Sequence, residues 1–229
     1  MTEPTPITNE DLSFTSGGRR IAVQAWRNDL PSSPAILVLH GAGGLDVGHR
    51  YIAQLARTVA PSGFHTFLVE YFDRTGTERA SDAIIKTHAP AWLETIRDAV
   101  DFIAALPGVE ADNIGAFGYS LGGYLAVALA AQDERIRAVV ELAGGIDAET
   151  AAAATRLPPL LIVHGREDQR VSFNNAVELQ ALCEKLRSPV QTLFLPGERH
   201  LLSPGATLVA VRQALRFYDA HLKRSVALV

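Results

Sequence analysis

Short apolar runs alternate along this chain with longer segments in which apolar residues recur every three or four positions. AILVLH at 35–40 contains almost no polar residue and reads as a strand buried on both faces. HTFLVEYF (65–72), NIGAFG (113–118), IRAVVELAG (136–144), LPPLLIVHG (157–165) and VQTLFLPG (190–197) read as further strands. RIAVQAW (20–26) alternates apolar with polar and predicts an antiparallel edge strand. Helical spacing marks 49–60, where Ile52, Leu55, Ala56 and Val59 share one stripe, and also 121–132, 173–187 and 205–223. Pro90 fits the first turn of a helix running to about Leu106. Before it, 73–88 is polar and contains Gly76, and reads as a long loop.

Repeated strand–helix alternation predicts an α/β fold: a mostly parallel central sheet of about 7–8 strands with helices on both faces. The connections are short apart from 73–88, so no large cap domain is expected. The expectation is one domain over 1–229, with 1–12 a loose N-terminal segment. In such sheets ligands bind beyond the carboxyl ends of the strands, so chemistry is sought just after each apolar run.

Composition narrows the function classes. Of 229 residues, 48% are hydrophobic and 20% charged, enough apolar material to exclude a disordered chain. A net charge of -4 offers no footprint for nucleic acid or an anionic membrane, so neither partner is expected. The one cysteine, Cys183, excludes an internal disulfide framework and any cysteine-cluster metal site, and reads as a core residue of its helix. The start, MTEPTPITNEDL, is acidic without an apolar centre and is not expected to be a secretory leader. With the lone thiol, that points to a cytoplasmic protein, either a monomer or a homodimer.

GAFGYSLGGYLA contains G-x-S-x-G at Gly118, Tyr119, Ser120, Leu121 and Gly122, after a strand and opening a helix. That context fits a nucleophile elbow. The turn is tight enough that side chains at the flanking positions would meet backbone. The serine then sits in strained geometry with its hydroxyl clear of the sheet, and the helix start directs N–H groups at a forming oxyanion. A serine hydroxyl needs a base at neutral pH. His200, in LFLPGERHLLSP after the last strand, is the candidate. His40 and His164 also end strands, but each precedes a glycine and reads as a structural residue bonding loop backbone. An imidazole base needs an acid to fix its tautomer, and VHGREDQRV (163–171) offers Glu167 and Asp168. The oxyanion donors expected are the N–H groups of Leu121 and of Ala42 in HGAGG (40–44), with Gly43 the next choice.

HGAGG, GYSLGG, HGREDQRV and GERH, in this order and at strand ends, resemble the dienelactone hydrolase family of α/β-hydrolases over roughly Ser13 to Tyr218. The resemblance implies a cap-less α/β-hydrolase domain that cleaves small esters or lactones without metal or cofactor. The family's G-x-x-D-x-x-V matches Gly165, Asp168 and Val171, which selects Asp168 as the acid; the base carries to His200. The nucleophile carries to Ser120, where members acting on dienelactones have cysteine. Those members also carry an arginine shortly after the base. Here Leu201, Leu202, Ser203 and Pro204 follow, which points away from dienelactone and toward a generic ester or other acyl substrate. Peptidase, thioesterase and acyltransferase chemistry on the same residues stay open, as does a non-catalytic ligand-binding homologue. Pocket candidates are Gly43, Glu70, which ends its strand, Tyr119 beside the nucleophile, and Trp92, with Ile84 and Ile85 on an apolar wall. Arg74, Arg170 and Arg199 lie near the expected loops and read first as surface residues.

Overall fold

The computed structural model of the chain describes residues 6–45 and 58–223. Eight strands form one sheet in the order β1-β2-β4-β3-β5-β6-β7-β8. They are β1 (Ile7–Ser16), β2 (Arg19–Asn28), β3 (Ser33–Leu39), β4 (His65–Val69), β5 (Val109–Tyr119), β6 (Ile136–Leu142), β7 (Leu160–Gly165) and β8 (Val190–Leu195). The β1–β2 and β2–β4 pairs are antiparallel. From β4 through β3 to β8 every pair is parallel. The α-helices bounded within the described residues are α1 (Asp82–Ala104), α2 (Leu121–Gln132), α3 (Ala148–Ala153), α4 (Phe173–Lys185) and α5 (Pro204–Leu222). They cover the sheet on both faces: α1, α2 and α4 contribute to one apolar cluster and α5 to the other. Among the described residues no large cap is inserted and no helix is long and apolar enough to cross a membrane.

Three expectations change. RIAVQAW is antiparallel but does not form the sheet edge. The edge is β1, which pairs with β2 along its whole length. Residues 7–12, expected to be loose, are therefore part of the sheet. The strand is held by backbone ladder bonds, with Leu12 and Phe14 packed on the core from a mostly polar run. Second, the loop at 73–88 ends early. Ser81 caps α1, its hydroxyl accepting the N–H of Ile84, and Pro90 lies inside the helix instead of in its first turn. Third, α3 was not foreseen. Residues 49–57 of the helix expected at 49–60 lie outside the described residues.

The parallel strands position the chemistry. All seven residues of β3 are buried, and the chain leaves it into the turn at 40–44. β5 leads into Ser120, β7 into the loop holding Asp168, and β8 into the loop holding His200. The carboxyl ends of neighbouring strands thus deliver the three side chains to one edge.

Candidate active site

Ser120 stands between β5 and α2 with φ 55 and ψ -119, a left-handed conformation that a side chain adopts only under constraint. Its backbone N–H donates to the Leu142 carbonyl at 2.8 Å, which ties the strained residue to the end of β6. The elbow glycines are required by contact. A Cβ on Gly118 would stand 2.1 Å from the Gly122 carbonyl oxygen, and one on Gly122 would stand 2.3 Å from that of Leu39. The sequence expectation of a turn too tight for side chains is therefore met atom by atom.

His200 Nε2 lies 3.1 Å from Ser120 Oγ, and His200 Nδ1 donates to Asp168 Oδ2 at 2.7 Å. The carboxylate fixes the tautomer, leaving Nε2 as the acceptor facing the hydroxyl. Asp168 is buried, and its other oxygen accepts the N–H groups of Arg170 at 2.8 Å and Val171 at 2.9 Å. The adjacent Glu167 turns away and accepts the N–H of Gly197 at 3.2 Å. The structure thus brings Ser120, Asp168 and His200 together and leaves Glu167 outside.

The turn at 40–44 runs against the elbow: a Cβ on Gly41 would meet Ser120 Cβ at 3.2 Å. Ala42 is held in place by its carbonyl, which accepts the Ala80 N–H at 2.8 Å. Leu121 is the first residue of α2, where an N–H has no partner within its own helix. Gly43 follows Ala42 in the same turn. Tyr119 packs its ring 5.2 Å from the His200 ring and donates its hydroxyl to the His200 carbonyl at 3.4 Å.

A cavity of about 290 Å³ opens beside this turn, lined by His40, Gly44, Leu45, Glu70, Phe72, Asp73, Thr77 and Glu78. Glu70 is half-buried and accepts from Gln24 Nε2 at 3.2 Å. Trp92 does not line this cavity. It is fully buried behind Phe72, its ring 4.4 Å from that ring, and its indole N–H donates to Thr75 Oγ1 at 2.9 Å. The early start of α1 carries Trp92 into the core, which decides between the two readings the sequence leaves open for it, pocket wall and core packing, in favour of core packing. Arg74 pairs with Glu94 at 3.0 Å and Arg170 reaches Asp82 at 3.5 Å, while Arg199 is exposed.

The two other strand-end histidines bond backbone, as expected. His40 Nδ1 donates to the Gly41 carbonyl at 2.9 Å and its ring stacks on Tyr71 at 4.1 Å. Burial pulls its pKa down to about 4. His164 Nε2 donates to the Val171 carbonyl at 3.1 Å and lies 3.3 Å from Asp168 Oδ2; burial lowers its pKa. Cys183 is buried, with its thiol pushed up to about 12 by burial. Sequence reasoning missed one ionisable group near the elbow, Glu141 in β6, which is fully buried. The signal available was a carboxylate inside an apolar strand.

A model of the dienelactone hydrolase family matches residues 21–202. Acyl-coenzyme A thioesterase 1 of Rattus norvegicus is 28% identical over 171 residues, covering 72% of this chain and 37% of that protein. The chain therefore spans little more than a third of that relative's length. Among solved structures, a dienelactone hydrolase-like promiscuous phosphotriesterase from metagenomic libraries matches with a TM-score of 0.83 at 19% identity, covering 95% of this chain and 99% of that one. Acylaminoacyl peptidase of Pyrococcus horikoshii matches with a TM-score of 0.78 at 15% identity, covering 97% of this chain and 43% of that one. Likeness at such identities is one of fold.

Proposed function

This chain belongs to the dienelactone hydrolase family, and from that premise we propose that it is a serine hydrolase cleaving a small carboxylic ester or lactone through an acyl-enzyme. The observation that carries the reading is the relay from Ser120 Oγ through His200 to Asp168, with spacings of 3.1 and 2.7 Å. Ser120 Oγ attacks the substrate carbonyl carbon as His200 Nε2 takes its proton. The negative charge on Asp168 stabilises the imidazolium that forms. The N–H groups of Leu121 and Ala42 receive the oxyanion; one such donor contributes roughly 3–4 kcal/mol of transition-state stabilisation. The tetrahedral intermediate collapses, the C–O bond breaks, and His200 returns the proton to the departing alcohol. Water then adds to the acyl carbon with His200 again as base, releasing the acid and restoring Ser120. Substrate and water close the cycle, and no metal or cofactor enters a step.

The same steps would cleave a thioester, a reading favoured by the likeness to an acyl-coenzyme A thioesterase. Against coenzyme A as the leaving group stand the acidic residues Glu70, Asp73 and Glu78 around the neighbouring cavity, a poor seat for phosphates. We further propose one domain for the whole chain. The test of the nucleophile is covalent. A fluorophosphonate should add to the peptide bearing Ser120, seen by mass spectrometry, and should not add to Ser120→Ala. Labelling at any other residue, or none, rejects the reading.

A further inference from the structure

Glu141 is fully buried in β6, in register with Gly118 of β5, the glycine two residues before the nucleophile position. Its Oε1 accepts the backbone N–H of Gly144. Its Oε2 is buried with no hydrogen-bond partner. The seat is cut to fit. A Cβ on Gly123 would come 3.0 Å from Oε1, and one on Gly144 would come 2.7 Å from Oε1 and 2.7 Å from the Ser120 carbonyl. The carboxyl thus lies behind the first turn of α2, against the backbone of the elbow.

The turn that Glu141 closes is the one that holds Ser120. Ser120 N–H donates to Leu142 O, and Ala143, at φ 55, donates its N–H to Val163 O at 2.9 Å. Residues 142–144 therefore brace the strained residue from the β6 side, and the bond from Gly144 to Glu141 ties that brace to its own strand. A buried carboxylate with one donor and one bare oxygen is costly. A protonated carboxyl costs less because it carries no charge into the site, and its carbonyl oxygen still accepts the Gly144 N–H.

We propose that Glu141 is a positioning residue for the nucleophile: held as a neutral acid, it keeps the 142–144 turn against the Ser120 backbone, and ionisation, which leaves a charged Oε2 buried without a donor, draws the carboxyl toward water, loosens that turn and slows attack. This inference rests on Ser120 being the nucleophile. The surroundings agree with it. Burial pushes the carboxyl up to about 8, against the lowering by the Gly144 N–H, and the charge of Asp168, in the loop after β7, raises it further. From α2 the facing group is Tyr124, whose phenol donates to Asn175 Oδ1. Burial first, then the charges of Glu141, Glu178, Asp168 and Asp147, push that phenol up to about 12, so it stays neutral.

The test measures the rate of fluorophosphonate labelling from about pH 6 to about pH 10 for the wild type, Glu141→Gln and Glu141→Leu, with Ser120→Ala as the blank. Circular dichroism at each pH monitors folding. The wild-type rate should fall above about pH 8 with the fold intact. Glu141→Gln keeps the acceptor for Gly144 and cannot ionise. It should label within about threefold of the neutral wild-type rate and hold that rate to the alkaline end. Glu141→Leu, lacking the acceptor, should label about tenfold or more slowly at every pH. An alkaline fall retained in Glu141→Gln, or a wild-type profile in Glu141→Leu, overturns the inference alone. If the leucine variant does not fold, the glutamine variant decides. A wild type that labels at no pH overturns the nucleophile reading and this inference with it.

Discussion

His200 Nδ1 donates to Asp168 Oδ2 across 2.7 Å, while the partner oxygen of Asp168 is already held by two backbone N–H groups. The carboxylate can therefore neither rotate away nor offer His200 a different atom. Asp168→Asn places an amide where only an acceptor serves, and the ring is driven toward the wrong tautomer. Turnover should drop by roughly 10³–10⁴-fold with little change in KM, since the acid acts mainly on the transition state. Steady-state kinetics on a chromogenic ester checks this. A loss of only a few-fold would remove Asp168 from the relay.

The elbow glycines make a second test. Gly122→Ala would push a Cβ to 2.3 Å from the Leu39 carbonyl oxygen, an atom of the central strand that cannot yield cheaply. Urea denaturation should show destabilisation of about 2–4 kcal/mol or failure to fold. Any folded fraction should lose most fluorophosphonate reactivity. A stable variant of full reactivity would contradict the packing described.

Much of this was legible in the chain because burial and chemistry coincide at strand ends. AILVLH and LLIVHG read as interior strands, and Ser120, Asp168 and His200 each follow an apolar run of that kind. β1 was not legible. Ladder bonds form between backbones whatever the side chains are, and ITNEDLSFTS shows no clean alternation. Pro90 misled because proline usually marks a helix start, while the cap at Ser81 began α1 earlier and carried Trp92 into the core. Glu141 escaped because one carboxylate in an apolar run does not announce how deeply its oxygens are buried.

Glu70 lines the cavity together with Asp73 and Glu78, which disfavours anionic substrates there. Glu70→Gln removes one charge and leaves an acceptor for Gln24. kcat/KM for an ester carrying a free carboxylate should rise by about three- to tenfold, with a neutral ester of the same size changed by less than about twofold. Equal effects on both esters would place the cavity outside the substrate path.

Two buried groups set opposite slopes of stability with pH. His40 has a folded pKa of about 4 against an ordinary 6.5, so its contribution is present above 6.5 and lost as pH falls toward 4. Glu141 has a folded pKa of about 8 against 4.5, so its contribution is present below 4.5 and lost as pH rises toward 8. Each slope is at most about 1.4 kcal/mol per pH unit. Denaturant melts across pH should show Glu141→Gln without the loss between 4.5 and 8, and His40→Phe without the loss between 6.5 and 4. A Glu141→Gln melt that tracks the wild type across its window would contradict the burial assigned to that carboxyl.

The most direct measurement is hydrolysis of a panel of p-nitrophenyl esters, acetate to octanoate, with a few lactones, by the wild type beside Ser120→Ala. Turnover by the wild type that falls by about 10³-fold or more in Ser120→Ala is the expected result, and the chain-length profile then sizes the acyl site. Equal turnover by the two proteins, or none by either together with no fluorophosphonate adduct on Ser120, would contradict a serine hydrolase.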